Sequence, residues 1–447
     1  MKGGIFMIKR ISGISACLLF MMAITLSGCK AKEKEVSIYF LNRKPEVIQE
    51  WLEIAQAYEE ETGVKVRVLT APNGNHERVL KAEIAKREMP TIFQITGPEE
   101  YETVKNYCVD LKDTNLYSWL LEKDMAVSKD GGIYGIPDVV EGYGIIYNQK
   151  ILDRYFKLEE KGTDYESMSE IDSYEDLKTL TEDMTRLKEK LGIEGVFAST
   201  SFEPGEDWRW HTHIMNMPFY YEFMEKENLN PDTIQFIFQN GLKNLFDLYI
   251  NNSIASIEDL EKTTVQQSMQ EFARGSVAMV QNGNWAWNQI VETSDRVVLE
   301  EDVKYLPLFI GAEGEENQGI CIGTENYVCI NSLASKEQQE ASIAFLEWLY
   351  SSEVGKKYVS EDLGFIAPFE TFEENEIPNN PLAREIFQYM NREDKENIPW
   401  IFSVFPSQKF KDTLSKNLLE YVKGDLSWKN VVDTTITDWA NEKKKEN

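Results

Sequence analysis

The sequence predicts an α/β fold of mostly parallel sheets covered by helices, and two observations predict it. Short apolar or alternating runs repeatedly give way to stretches with apolar residues at helical spacing, the pattern of parallel strands joined through helices. The 447 residues are 42% apolar and 28% charged, a globular composition that divides into two or three domains at ~150 residues each. Lys plus Arg number 47 against 76 Asp plus Glu, a net charge of −29 that repels nucleic acid. Three histidines leave little material for imidazole-based metal or general-base chemistry.

In chain order, Lys2, Lys9 and Arg10 precede an uncharged run over 11–26, short for a membrane span and the length of a signal-peptide core. Leu26-Ser27-Gly28-Cys29 resembles the bacterial lipobox, which implies removal of residues 1–28 as a lipoprotein signal peptide and acyl chains on Cys29. The body then sits at the extracytoplasmic face of the cell membrane. The hydrophilic stretch 29–35 reads as a tether.

Residues 36–41 form an apolar run, and Pro45 opens a helix with Val47, Ile48, Trp51, Leu52, Ala55 and Tyr58 at helical spacing, ended by Thr62-Gly63. Val64, Val66 and Val68 alternate as a strand; 75–86 reads as a helix, 91–95 as a strand, and Pro98 begins a third helix. Ligands sit off the carboxyl ends of such strands. The loops Asn42-Arg43-Lys44, Ala71-Pro72-Asn73-Gly74 and Thr96-Gly97-Pro98 therefore line one edge.

After the Gly131-Gly132 turn, 133–137 and 144–148 read as strands joined through 138–143. Leu177, Leu180, Met184, Leu187 and Leu191 step along a helix that Ser173 caps and Gly192 closes. Strands at 196–199 and 277–280 run into aromatic loops, 203–210 and 281–287, which carry Trp208, Trp210, Trp285 and Trp287. Core packing is an equal reading for Trp210 and Trp287. Trp208 and Trp285 read as a ligand surface, since a sugar stacks its C–H face on a ring while its hydroxyls bond amides, carboxylates and lysines. If Cys321 and Cys329 share one extended strand they lie too far apart for a disulfide, and with Cys108 they are expected as free thiols.

Gly135-Ile136-Pro137, the stretch 141–148, the stretch 272–279 running into Asn282-Gly283-Asn284-Trp285-Ala286-Trp287, and Phe345-Leu346-Glu347-Trp348-Leu349 with Gly355 and Gly364-Phe365 resemble the maltose-binding-protein-like, sugar-binding lipoproteins of ABC importers. The resemblance covers nearly all of the exported chain. It implies a two-lobed periplasmic-binding-protein fold, with 36–140 and 320–362 in one lobe, 144–318 and 367–440 in the other, and crossovers near 138–143, 318–325 and 363–367. It also implies a ligand-binding set: Lys44 as the basic residue of the first loop, Glu141 as the cleft carboxylate, Trp208 as an aromatic and Trp285 as the stacking ring. Tyr143 and Asn284 within the matching stretches, and Asn73 and Gly97 in the loops that line the sheet edge, are further expected contacts. Gly323-Thr324-Glu325-Asn326-Tyr327 is similar to a GxENY stretch of some members and reads as the return crossover, adding Glu325, Asn326 and Tyr327. An outward-facing strand residue is an equal reading of Glu325. At Gln94 and Gly97 the chain departs from maltose-binding protein, which argues against maltose as the ligand.

The expectation is a monomeric, lipid-anchored receptor, not an enzyme and without cofactor or metal, that closes on a sugar and presents it to importer permease subunits. A peptide-binding or other solute-binding receptor shares the architecture. A glycoside hydrolase would need a facing carboxylate pair, but a chain with 76 acids always offers such pairs. His211-Thr212-His213 lacks a third histidine near in sequence and reads as structural.

Overall fold

The computed structural model describes residues 36–72, 75–373 and 375–446. The signal segment, Cys29 and the tether lie outside the described residues, as do Asn73 and Gly74. Among the described residues no helix is long and apolar enough to cross a membrane.

Twelve strands are described: β1 Ser37–Asn42, β2 Lys65–Thr70, β3 Ile92–Ile95, β4 Val127–Lys129, β5 Gly132–Pro137, β6 Glu141–Asn148, β7 Gly195–Phe197, β8 Val277–Gly283, β9 Val303–Leu306, β10 Gln318–Gly323, β11 Tyr327–Ile330 and β12 Glu396–Pro399. They form two sheets, ordered β2-β1-β3-β11-β5-β4 and β12-β10-β6-β8-β7, with β9 beside β6. β1 is buried from Ile38 onward and runs parallel to β2 and β3, so the chain leaves all three at one edge. The helix Ile48–Thr62 covers this sheet with Trp51, Ile54, Ala55 and Tyr58. It stops at Gly63, which takes a left-handed φ of 75° and donates its N–H to Glu59 O.

The pairing is more mixed than helix and strand alternation predicts. β4 and β5 form a hairpin through Asp130-Gly131, both at positive φ, as a two-residue turn requires. β11 arrives from the second sheet and runs against both β3 and β5, while β6 runs against β8, β9 and β10. These contacts join residues far apart in sequence, and no local periodicity encodes their direction. The crossovers are also shorter than expected. β6 begins at Glu141, and residues 320–323, expected in the first lobe, belong to β10 of the second sheet, where Cys321 faces Tyr143. The change of sheet falls at 138–140 and 324–326, and Val140 bridges Ile366 of the third crossing segment.

In the second lobe, Ser173 caps Tyr174–Arg186 by accepting from Asp176 N, but the expected single helix breaks at Leu187 before Lys188–Leu191 and Gly192. Residues 209–214 form a π-helix rather than the end of a loop, leading into the helix Met215–Glu225. Pro218 inside that helix has no N–H for the Ile214 carbonyl, which accounts for the local widening. Trp210 is thereby turned into the core beside Phe246 and Tyr249, and Trp287 is buried in a second cluster. Cys108, Cys321 and Cys329 are free and buried, the last two on strands of different sheets.

Gly144 lies in the middle of β6, where a Cβ would come within 2.6 Å of the Leu306 carbonyl oxygen. Gly144→Ala should lower unfolding free energy by about 1–3 kcal/mol in a denaturant titration, because a backbone group rather than a flexible side chain must yield.

Candidate functional site

The polar wall begins where β1 ends. The Asn42 side chain accepts from Lys44 N at 3.1 Å and donates to Lys44 O at 2.9 Å, fixing the first loop. This turns Lys44 Nζ onto Glu141 Oε1 at 2.6 Å, while Asn326 Nδ2 donates to Glu141 Oε2 at 2.8 Å. All three are almost fully buried, at 7%, 3% and 2% exposure, and Lys44 also lies over the Phe365 ring. The network thus ties the first loop to all three crossing segments. Burial acts to lower the Lys44 pKa, but Glu141 and Glu46 outweigh it and hold the ammonium above its ordinary value. Burial pushes the Glu141 carboxyl up while Lys44 opposes it. Two donors on its two oxygens at these distances fit the ionised carboxylate.

Around this pair, Arg43 N donates to Gln94 Oε1 at 2.8 Å, and Gln94 Nε2 donates to Asp138 Oδ2 at 2.6 Å. The Arg43 guanidinium reaches Asn326 Oδ1 at 3.2 Å, the Glu325 carbonyl, and the Glu325 carboxylate at 3.5 Å. Asp138 is fully buried, and among the described residues its Oδ1 has no partner. Burial raises its pKa to about 7 against the help of Gln94 and Lys44.

The aromatic wall belongs to the second lobe. Trp208 and Trp285 are half-buried with ring centroids 6.1 Å apart, and Trp400 stands 6.4 Å from Trp285. The Trp285 ring folds back over Gly283, where any Cβ would run into it. Beneath lies His213, stacked on Tyr143 at 4.0 Å and 4.8 Å from Trp208. Burial holds this imidazole well below its ordinary pKa and therefore neutral.

The structure brings Lys44, Glu141, Glu325 and Asn326 together on one wall and Trp208 and Trp285 on the other. Gly97 stands where the lobes meet, a Cβ there lying 3.5 Å from Ser403 Cβ and 4.0 Å from the half-buried Tyr327 ring. Two expected ligand contacts have structural roles. Tyr143 is fully buried and donates to His213 O at 3.2 Å. Asn284 is 2% exposed, accepts from Gly142 N on Oδ1 and from Asn380 Nδ2 on its carbonyl, and so splices β8 to β6 and the third crossing region. Asn73 lies outside the described residues. Arg43, Trp400, His213 and Asp138 join the site without having been singled out for it. Arg43 adjoins Lys44, and a tryptophan directly after a short strand was the available signal for Trp400, whose buried Nε1 has no partner among the described residues. Those residues offer no cluster of three metal-donor side chains.

Two α/β lobes joined by three crossing segments, with a polar and an aromatic wall between them, define a two-lobed solute-binding protein. Residues 53–385 match the bacterial extracellular solute-binding protein family, and the chain belongs to it. A chitin oligosaccharide binding protein covers 92% of this chain and is itself wholly covered, at TM-score 0.69 and 18% identity. RafE in complex with raffinose gives 91%, full coverage, 0.69 and 19%. A sugar transporter from Bacillus licheniformis in complex with stachyose gives 91%, full coverage, 0.68 and 16%. In sequence, the melibiose/raffinose/stachyose-binding protein MelE of Bacillus subtilis is 25% identical over 149 residues, which span 31% of this chain and only 34% of MelE.

Lys44→Met should cost about 3–5 kcal/mol of stability at neutral pH, because it leaves Glu141 buried without its counter-charge; a chemical melt of the variant checks this. Asp138 supplies a pH test. With a folded pKa of about 7 above an unfolded value near 3.9, the native state binds more protons between those values. Stability from this group is therefore full at low pH and is lost as pH rises towards 7. Asp138→Asn keeps an oxygen for Gln94, and its melting temperature should fall less than wild type between pH 5 and pH 8.

Proposed function

We propose that the chain captures a neutral oligosaccharide between its lobes and delivers it to an ABC importer, held to the outside of the cell membrane by the lipid on Cys29. One observation carries the reading: half-buried Trp208 and Trp285 of the second lobe accompany a charged and amide wall built by the first loop and the crossing segments. Such a pair of walls suits a polyol with apolar C–H faces. The neighbours named for chitin oligosaccharide, raffinose and stachyose, and MelE by its name, support the substrate class. The protein acts as a monomer and does nothing chemical to its ligand. Both Glu141 oxygens are committed to Lys44 and Asn326, which disfavours that carboxyl as a proton donor to a glycosidic bond. Closure of the lobes about the crossing segments buries the sugar and makes one surface for the permease.

The test is calorimetry of the full chain against a panel of neutral oligosaccharides, with Trp285→Ala as the variant. One sugar face hides ~100 Å², which at ~25 cal/mol per Å² is about 2.5 kcal/mol, or nearly two decades in affinity. The variant should lose that affinity while its ligand-free melting temperature falls little. A core tryptophan would instead lose ~3–5 kcal/mol of stability and leave the folded fraction binding normally. Affinity should depend only weakly on salt, and the sugars should be recovered intact.

A further inference from the structure

The helix Gln408–Val422 starts close to the line where the lobes meet. Just before it, Ser403 faces Gly97. Beside it, the helix Trp428–Glu446 packs alongside and sends Lys443 Nζ across to Glu99 Oε1 at 3.0 Å. The first turn of Gln408–Val422 is thereby held opposite the start of the helix Pro98–Val104, and Lys411 sits in that turn, partly buried. The charged groups that act most on its ammonium lie across the interlobe boundary, Glu325 and Arg43 on the polar wall and Glu99 and Glu100 on the helix Pro98–Val104.

Each of those neighbours already holds a partner, although Glu100 does so through Oε2 alone and its buried Oε1 has none among the described residues. Arg43 is held by Glu325 and Asn326, and Lys443 by Glu99. Glu100 Oε2 accepts from Thr96 N at 2.7 Å and from Thr96 Oγ1 at 3.0 Å. Among the described residues, the Lys411 ammonium has neither a hydrogen bond nor an ion pair. It offers three donors at the interlobe boundary, and Glu100 Oε1 beside it is an acceptor that is likewise unpartnered among the described residues.

Resting on the sugar-binding reading, we infer that Lys411 is a ligand contact from the second lobe, donating to hydroxyl oxygens of a saccharide held by the Arg43 and Lys44 loop. The chemistry of the surroundings selects the ligand. Among the charges that act on the ammonium, Glu325, Glu99 and Glu100 outnumber Arg43, so a carboxylate or sulfate brought beside it meets a net acidic surrounding, while a neutral hydroxyl accepts a charge-assisted bond without that repulsion. Lys411 therefore favours neutral over acidic saccharides, and its contact forms only when both lobes engage the ligand.

The experiment is calorimetry and thermal melting of the full chain as wild type, Lys411→Ala, Lys411→Gln and Trp285→Ala. The probes are the neutral oligosaccharide panel, including raffinose and stachyose, and monodeoxy analogues of the best binder. Both Lys411 variants should lose about tenfold or more in affinity with ligand-free melting unchanged, and the deficit should shrink to within about twofold on the analogue lacking the partner hydroxyl. Wild-type affinity in both Lys411 variants, with Trp285→Ala weakened, overturns this inference and leaves the sugar reading standing. A deficit constant across every analogue also overturns it, since Lys411 would then act on closure alone. Failure of wild type to bind any of the panel overturns the sugar reading and this inference together.

Discussion

The buried contact of Lys44 with Glu141 is the interaction on which the rest of the arrangement depends. A charge at this depth is tolerated only when its partner is present and the remaining donors and acceptors are satisfied. Asn326 fills the second Glu141 oxygen, Asn42 fixes the Lys44 backbone, and Phe365 covers the ammonium. The loop after β1 and all three crossing segments thus share one electrostatic knot. Where the chain passes between lobes, the backbone has little freedom to shift without separating charges in a low-dielectric setting. The polar wall is consequently built into the segments that join the lobes.

The aromatic wall obeys a different constraint. It is built on backbone features that lay rings flat against a sheet end: Gly283 leaves room for the Trp285 ring, and Gly323 does the same for Trp400, whose ring a Cβ there would strike. Pro218 and the π-helical turn before it carry His213 under the rings. A neutral, buried imidazole stacked on Tyr143 adds area without adding charge. The first loop and the crossing segments therefore contribute fixed polar groups and the second lobe mostly polarisable surface. That division suits a ligand with both hydroxyl edges and apolar faces.

Much of this was legible in the sequence where the signal is local. The helix face of Trp51 and Tyr58, the Gly63 stop, the Ser173 cap and the loops ending β1 and β3 all follow from spacing and turn chemistry. Trp208 and Trp285 stood out as tryptophans at strand ends, and the family resemblance pointed to Lys44 and Glu141. What escaped depends on contacts between distant segments. The antiparallel runs of β11 and β6, the assignment of 320–323 to the second sheet, and the burial of Tyr143 and Asn284 are set by pairing partners more than a hundred residues away. Arg43 and Asp138 belong to the site because Gln94 links them, and no periodicity reports a side-chain bridge of that kind.

The most direct measurement is a crystal structure of the full chain grown with the neutral oligosaccharide it binds best. The account predicts sugar between the lobes, one ring stacked on Trp285 and hydroxyls within hydrogen-bond distance of the polar wall around Arg43 and Asn326. Sugar bound instead on the outer face of either lobe, with the Trp285 ring uncovered, would contradict it.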